Sequence, residues 1–131
     1  MSLERPQPAA LPVTRYAQVV VARGSRLIFV SGQVSVDDRG QVVAPGDFAG
    51  QVRQSHANLV AALSAAGAST GDIAKLTTYV VGYRPELLEA IRDARASVLG
   101  SVDSPASTLV GVEALASPDY LIEVEGYAVV D

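Results

Sequence analysis

Tyr120-Leu121-Ile122-Glu123-Val124-Glu125-Gly126-Tyr127-Ala128-Val129-Val130 is the stretch on which the fold turns. Successive side chains of a strand point to opposite faces. One face therefore carries Tyr120, Ile122, Val124, Gly126, Ala128 and Val130, almost wholly apolar. The other carries Leu121, Glu123, Glu125, Tyr127 and Val129. A sheet with helices on one side normally shows water a polar opposite face. Here that face mixes two carboxylates with Leu, Tyr and Val. The β-branched run Ile73–Val81 behaves the same way, with Ile73, Tyr79 and Val81 opposite Leu76 and Val80. Helices can cover only one side of such a sheet, so the other is expected to pack on another copy of the chain.

Working outward, the remaining elements complete an α+β domain. Asp47 can cap a helix running to about Ala66, with Val52, Leu59, Val60, Leu63 and Ala66 on its apolar stripe and Gly67 at its end. Pro85 suits the first turn of a second helix, with Leu88, Ile91 and Val98 facing inward and Gly100 closing it. Ala106–Val112 reads as a strand. Tyr16–Ala22 and Arg26–Val30 flank Arg23-Gly24-Ser25 and are predicted to form a hairpin. Val34–Val36 and Gln41–Val43 flank the turn sequence Asp37-Asp38-Arg39-Gly40. Residues 1–14, with Pro6, Pro8 and Pro12, read as an extended, poorly ordered lead-in. Residues 15–131 read as one domain.

Composition narrows the chemistry. There is no Cys, hence no thiol nucleophile and no cysteine-ligated zinc. His56 is the single histidine, so a His pair is excluded within one chain. No metal and no other cofactor is expected. The net charge of −4 and the scattered arginines argue against a nucleic-acid surface, which needs clustered cations. No apolar run reaches the ~20 residues of a membrane span, and Met1–Pro6 lacks a signal-peptide core. A cytoplasmic protein with no membrane partner is expected.

Glu123 is the foremost chemical candidate. A carboxylate partly removed from water has its charged form disfavoured, which suits general acid–base work. The competing interpretation is a solvated or ion-paired strand glutamate. Glu125 is the rival candidate, on the same face and ~7 Å away along the backbone. Ser107 and Thr108, on the strand before it, are expected next to Glu123 and offer hydroxyls to a small polar ligand. A Ser–His pair is not expected, because His56, four residues after Val52, falls on the inner side of its helix. Asp37-Asp38 reads as a turn rather than a cation site, and Gly46–Gly50 lacks the ending of a phosphate loop.

Several segments together resemble the RidA/YjgF family, also known as L-PSP endoribonuclease-like or reactive-intermediate deaminases. They are Tyr16-Ala17-Gln18, Val30-Ser31-Gly32-Gln33, Gln51–Ser55 with Asn58-Leu59, Ala65-Ala66-Gly67, Asp72–Val80, Pro105-Ala106 and Ile122-Glu123-Val124-Glu125, in the family's order and spacing from Tyr16 to the C-terminus. The resemblance implies a chorismate-mutase-like subunit, a mixed β-sheet with two helices packed on one face, assembled as a homotrimer with a cleft between neighbours. It implies a small-molecule ligand. Active members hydrolyse enamines and imines such as 2-aminoacrylate to a 2-oxo acid and ammonia. In them an arginine after Pro-Ala binds the substrate carboxylate, and a last-strand glutamate helps position the attacking water. Glu123 matches that glutamate. Tyr16 and Ser31 match cleft positions, and the Ser31-Gly32 backbone would help hold the ligand.

The chain departs from the pattern where the family has its arginine: the residue after Pro105-Ala106 is Ser107. A hydroxyl cannot form the bidentate charged clamp of a guanidinium. Its loss would cost on the order of 2–4 kcal/mol, about 30- to 1000-fold in binding. Ala90 stands where the family has a second-helix asparagine. Arg92 and Arg95 on that helix are the cations left to take the arginine's part. Two functions follow as expectations for this arginine-lacking branch. The first is hydrolysis of a small imine or enamine, with Glu123 catalytic and Tyr16, Ser31, Gly32, Ser107 and Thr108 holding the substrate. The alternative is a non-catalytic trimer that binds a metabolite in the same clefts. A ribonuclease or translation-inhibitor role ranks last, given the acidic charge and the single inward histidine.

Overall fold

The computed structural model describes residues 1–101 and 103–131. Its first strands are β1 (Ser2–Glu4), β2 (Val21–Arg23) and β3 (Arg26–Gln33), followed by helix α1 (Phe48–Ala65), β4 (Ile73–Val81), helix α2 (Leu88–Leu99), β5 (Ala106–Val112) and β6 (Ile122–Val130). Four strands form one sheet in the order β3-β6-β4-β5. The β3/β6 and β6/β4 pairs are antiparallel and β4/β5 is parallel, so the sheet is mixed. The parallel pair requires a crossover, and α2 supplies it.

The helix ends follow their residues. Asp47 accepts a hydrogen bond from Gly50 N–H and caps α1. At the other end Gly67 has φ +76°, its N–H donates to Ser64 and that of Ala68 donates to Leu63, the double closure of a Schellman motif. Pro85 starts the 3-10 turn that leads into α2, and Gly100 (φ +74°) ends it.

The apolar face of β6 behaves as its alternation requires: Ile122, Val124, Gly126, Ala128 and Val130 are all buried. Leu59 and Leu63 of α1 pack with Leu76, Val124 and Ala128. Val52 of α1 joins Ile91 and Ala94 of α2 on Val80 and Ile122. Two helices on one face of a mixed sheet is thus the architecture found. Among the described residues no helix is long and apolar enough to cross a membrane.

Three details differ from the sequence expectation. Ile73 does not share a face with Tyr79 and Val81. A register shift between Ile73 and Lys75 turns it into the core, where it is 2% exposed. The predicted first hairpin does not pair. β2 binds β1, drawn from the N-terminal lead-in, while β3 binds β6. Gly24 explains the separation: a Cβ there would lie 2.6 Å from Val129 Cγ1 and 2.7 Å from the Val130 carbonyl. The link from β2 to β3 is therefore pressed against the end of β6 instead of folding back as a free turn. Finally, the last strand begins at Ile122 and leaves Tyr120 and Leu121 outside it. The Asp37–Gly40 segment does turn, with Asp37 Oδ1 accepting from the N–H groups of Arg39 and Gln41.

The sheet's second face carries Leu27, Phe29, Tyr79, Val110 and Tyr127. Phe29 is 68% and Leu27 58% exposed. Phe29 meets Tyr127 edge-on, with ring centroids 5.4 Å apart. Neither helix packs against this face, since both lie over the core on the other.

Candidate functional site

Glu123 sits on the second face, opposite Tyr79 in the β4/β6 register. Its carboxylate lies against Gly32, where the register of β3 shifts between Val30 and Gln33. A Cβ on Gly32 would fall 2.1 Å from Glu123 Oε1 and 2.9 Å from its Cγ. Only glycine permits this approach. The bulge thus brings the Ser31-Gly32 backbone beside Glu123. No hydrogen-bond donor among the described residues takes up the Glu123 carboxylate. Its rival is engaged: Glu125 accepts from the Tyr79 hydroxyl and, at 3.4 Å, from Tyr127. The bond to Glu125 raises the Tyr79 pKa, with desolvation and nearby negative charge adding to it.

Ser107 and Thr108 are not beside Glu123, because β4 lies between their strand and β6. Glu123 pairs with Tyr79 and Tyr79 with Val110. Two strand spacings across and three residues along put Ser107 roughly 14 Å from Glu123 at the backbone. The two serine and threonine side chains also part company. Ser107 is in register with Leu76 and shares the helix-side face. Thr108 is in register with Thr77 on the second face, where its Oγ1 accepts from Lys75 Nζ at 2.6 Å.

Ser107 and Thr108 instead line a cavity of about 810 Å³ between β5 and α2. Tyr16 lines it too. The N–H of Ala17 donates to the Pro105 carbonyl (3.2 Å) and Ala17 bridges Ala106, which fixes Tyr16 at the start of β5. One chain therefore holds two separate groups: Glu123 with Ser31 and Gly32, and Tyr16 with Ser107, while the Thr108 hydroxyl is turned to the second face and held by Lys75.

The cavity has a wall that sequence reasoning only half found. Arg95 donates through Nε to His56 Nε2 (3.1 Å) and through Nη2 to Thr78 Oγ1 (2.7 Å). His56 is fully buried. Its Nδ1 lies 2.7 Å from the Val52 carbonyl, which can only accept, so Nδ1 carries the proton and Nε2 accepts from Arg95. Burial, and then the Arg95 charge, lower the His56 pKa to about 4, against the opposing pull of the Val52 carbonyl. Burial also lowers the Arg95 pKa. The signal for Arg95 was present in the sequence: it stands four residues after Ile91 and one after Ala94, on the buried stripe of α2.

The depressed His56 pKa makes stability depend on pH. Between about 4 and 6.5 the unfolded chain binds a proton that the folded chain refuses. The stability is complete above pH 6.5 and falls as the pH drops toward 4, by about 3 kcal/mol for this one group. Urea unfolding measured across this window should show a steeper acid loss for wild type than for His56→Gln. Parallel curves would mean that His56 does not titrate in this way.

A family model described as Endoribonuclease L-PSP matches residues 7–130. The chain belongs to that family, the RidA/YjgF family. A RutC family protein of Pyrococcus horikoshii is 32% identical to it over 120 residues, 92% of this chain and 90% of that one. The RutC family protein YjgH of Escherichia coli is 34% identical over 110 residues, 84% and 80% of the two chains. Among solved structures, the Rid family protein YyfB from Yersinia pestis, described as of unknown function, superposes with a TM-score of 0.91 at 32% identity, covering 98% of this chain and 99% of that one. The RidA/YjgF fold agrees with the two-helix, mixed-sheet architecture above. The sequence resemblance that identified it ran from Tyr16, whereas the family model begins nine residues earlier, at residue 7.

Proposed function

We propose that this RidA/YjgF-family protein hydrolyses small reactive imines or enamines to 2-oxo compounds and ammonia, in clefts shared between copies of the chain in the cytoplasm. The observation that carries the reading is the Glu123 carboxylate, free of donors among the described residues and laid against Gly32 while Glu125 is tied to Tyr79. Such a group is available to a water molecule. It takes a proton as the water oxygen attacks the imine carbon and passes that proton to the imine nitrogen, giving a carbinolamine. Carrying the carbinolamine hydroxyl proton to the same nitrogen lets the C–N bond break as the C=O bond forms, so water and imine become ketone and ammonia.

The separation of Glu123 from Tyr16 and Ser107 supports a shared cleft. Neither group makes a complete site alone. The face with exposed Leu27, Phe29 and Val110 offers the surface through which a homotrimer would bring them together. The ribonuclease reading has little support. His56, the single imidazole, has both nitrogens occupied inside the fold, and RNA-cleaving acid–base chemistry would need one free.

The experiment is ammonia release from freshly generated 2-iminopropionate, with the assembly read by light scattering. The wild-type protein should accelerate release over solvent and scatter as a trimer. Release at the solvent rate would remove hydrolysis of that substrate, and a monomer at micromolar concentration would remove the shared cleft.

A further inference from the structure

We propose that Arg95 is the anion receptor of the cavity between β5 and α2, and that its ligand is the carboxylate of a small organic acid. The inference deepens the hydrolase reading and rests on it for the ligand's role, not for its binding.

A guanidinium withdrawn from water calls for a counter-charge. Both protein partners of Arg95 are neutral: the acceptor nitrogen of His56 and the hydroxyl of Thr78. None of the ion pairs among the described residues includes it. Arg92, its neighbour in the cavity wall, is by contrast paired with Glu89 at 3.1 Å. With Arg92 offset by Glu89, the described lining residues still set Arg15 and Arg95 against one carboxylate, Asp93, so the cavity is cationic. An uncompensated positive charge at the wall of a roomy cavity selects for anions.

The geometry narrows the anion further. His56 and Thr78 take Nε and Nη2, which fixes the guanidinium plane. Left over are Nη1 and one proton of Nη2, which have no partner among the described residues; no side-chain polar atom among those residues is sealed away unsatisfied. Two parallel N–H groups match the two oxygens of a carboxylate. Thr78, which holds Arg95, is in register with Leu109 on β5, two residues from Ser107 on the same face. The short Ser107 side chain leaves that approach open and adds a hydroxyl to it. The charged clamp missing from β5 is thus supplied by the facing helix.

Calorimetric titration with pyruvate, and with its neutral amide pyruvamide, tests this on the full chain. Wild type should bind pyruvate, and Arg95→Gln should weaken it about 10- to 100-fold while pyruvamide stays equally weak in both. Arg95→Lys keeps the charge but not the fork, and should lose about 10-fold. Crystals of wild type soaked in pyruvate guard against a variant that fails to fold: they should show the carboxylate on Arg95 Nη1. Equal pyruvate affinity in wild type and Arg95→Gln, no pyruvate binding, equal preference for pyruvamide, or a carboxylate seated elsewhere would each overturn the proposal. The two readings also fail separately. Wild type that binds pyruvate through Arg95 but releases no ammonia supports the anion site and sinks the hydrolase. Ammonia release that is as fast in Arg95→Gln as in wild type sinks the anion site.

Discussion

Glu123→Gln is expected to slow imine hydrolysis about 100- to 10,000-fold, the range over which a positioned acid–base group acts, with the thermal midpoint left near that of wild type. The two halves of this expectation come from one fact. The Glu123 carboxylate has no donor among the described residues, so replacing it with an amide of the same shape breaks no protein hydrogen bond. What disappears is the capacity to take a proton from water. Glu125→Gln provides the contrast. It disturbs the bond from the Tyr79 hydroxyl and should show its effect in stability as well as rate. Initial rates of ammonia release set beside thermal melts of both variants decide the matter. A Glu123→Gln protein as active as wild type would move the chemistry elsewhere.

Leu59→Ala should remove about 2–5 kcal/mol of stability, in the upper part of that range. Leu59 is fully buried and joins α1 to the sheet. Its Cδ1 lies 3.4 Å from where a Cβ on Gly126 would stand and Leu76 Cδ2 lies 3.1 Å from it, so Leu59 and Leu76 together fill the space that β6 leaves by having no side chain there. Strand backbone paired on both sides by β3 and β4 cannot move up to refill the gap. Against a total of about 5–15 kcal/mol, this is a large fraction of the fold's stability. Urea unfolding reads it directly. A loss under about 1 kcal/mol would show that the helix can settle onto the sheet after all.

The parts of the fold legible in sequence were those with a short period or a local cap. Alternation along Ile122–Val130 sorted the faces of β6 correctly, and Asp47 and Gly67 marked the ends of α1. Alternation fails at a bulge, and Ile73 was assigned to the wrong face for that reason. Strand partners are long-range facts. Nothing local told Val21–Arg23 to choose Ser2–Glu4 over the strand that follows it. The same limit governed the site. Glu123 and Gly32 could each be named, but their contact depends on a shift in register. His56 and Arg95 each stand out in the sequence, one as the single histidine and the other as a cation on the second helix. That one holds the other was invisible, because they come from different helices and meet only after both pack on the sheet.

The sheet order β3-β6-β4-β5 has a genetic consequence. With β4 between them, Glu123 and the Arg95 wall belong to different regions of one chain. In an assembly whose clefts take Glu123 from one copy and Arg95 from its neighbour, each chain carries halves of two different sites. A copy defective in the first residue and a copy defective in the second can then build an intact cleft together, although neither can do so with its own kind. Two null alleles co-expressed in one cell would complement, and a single damaged allele would leave mixed assemblies partly working instead of poisoning them.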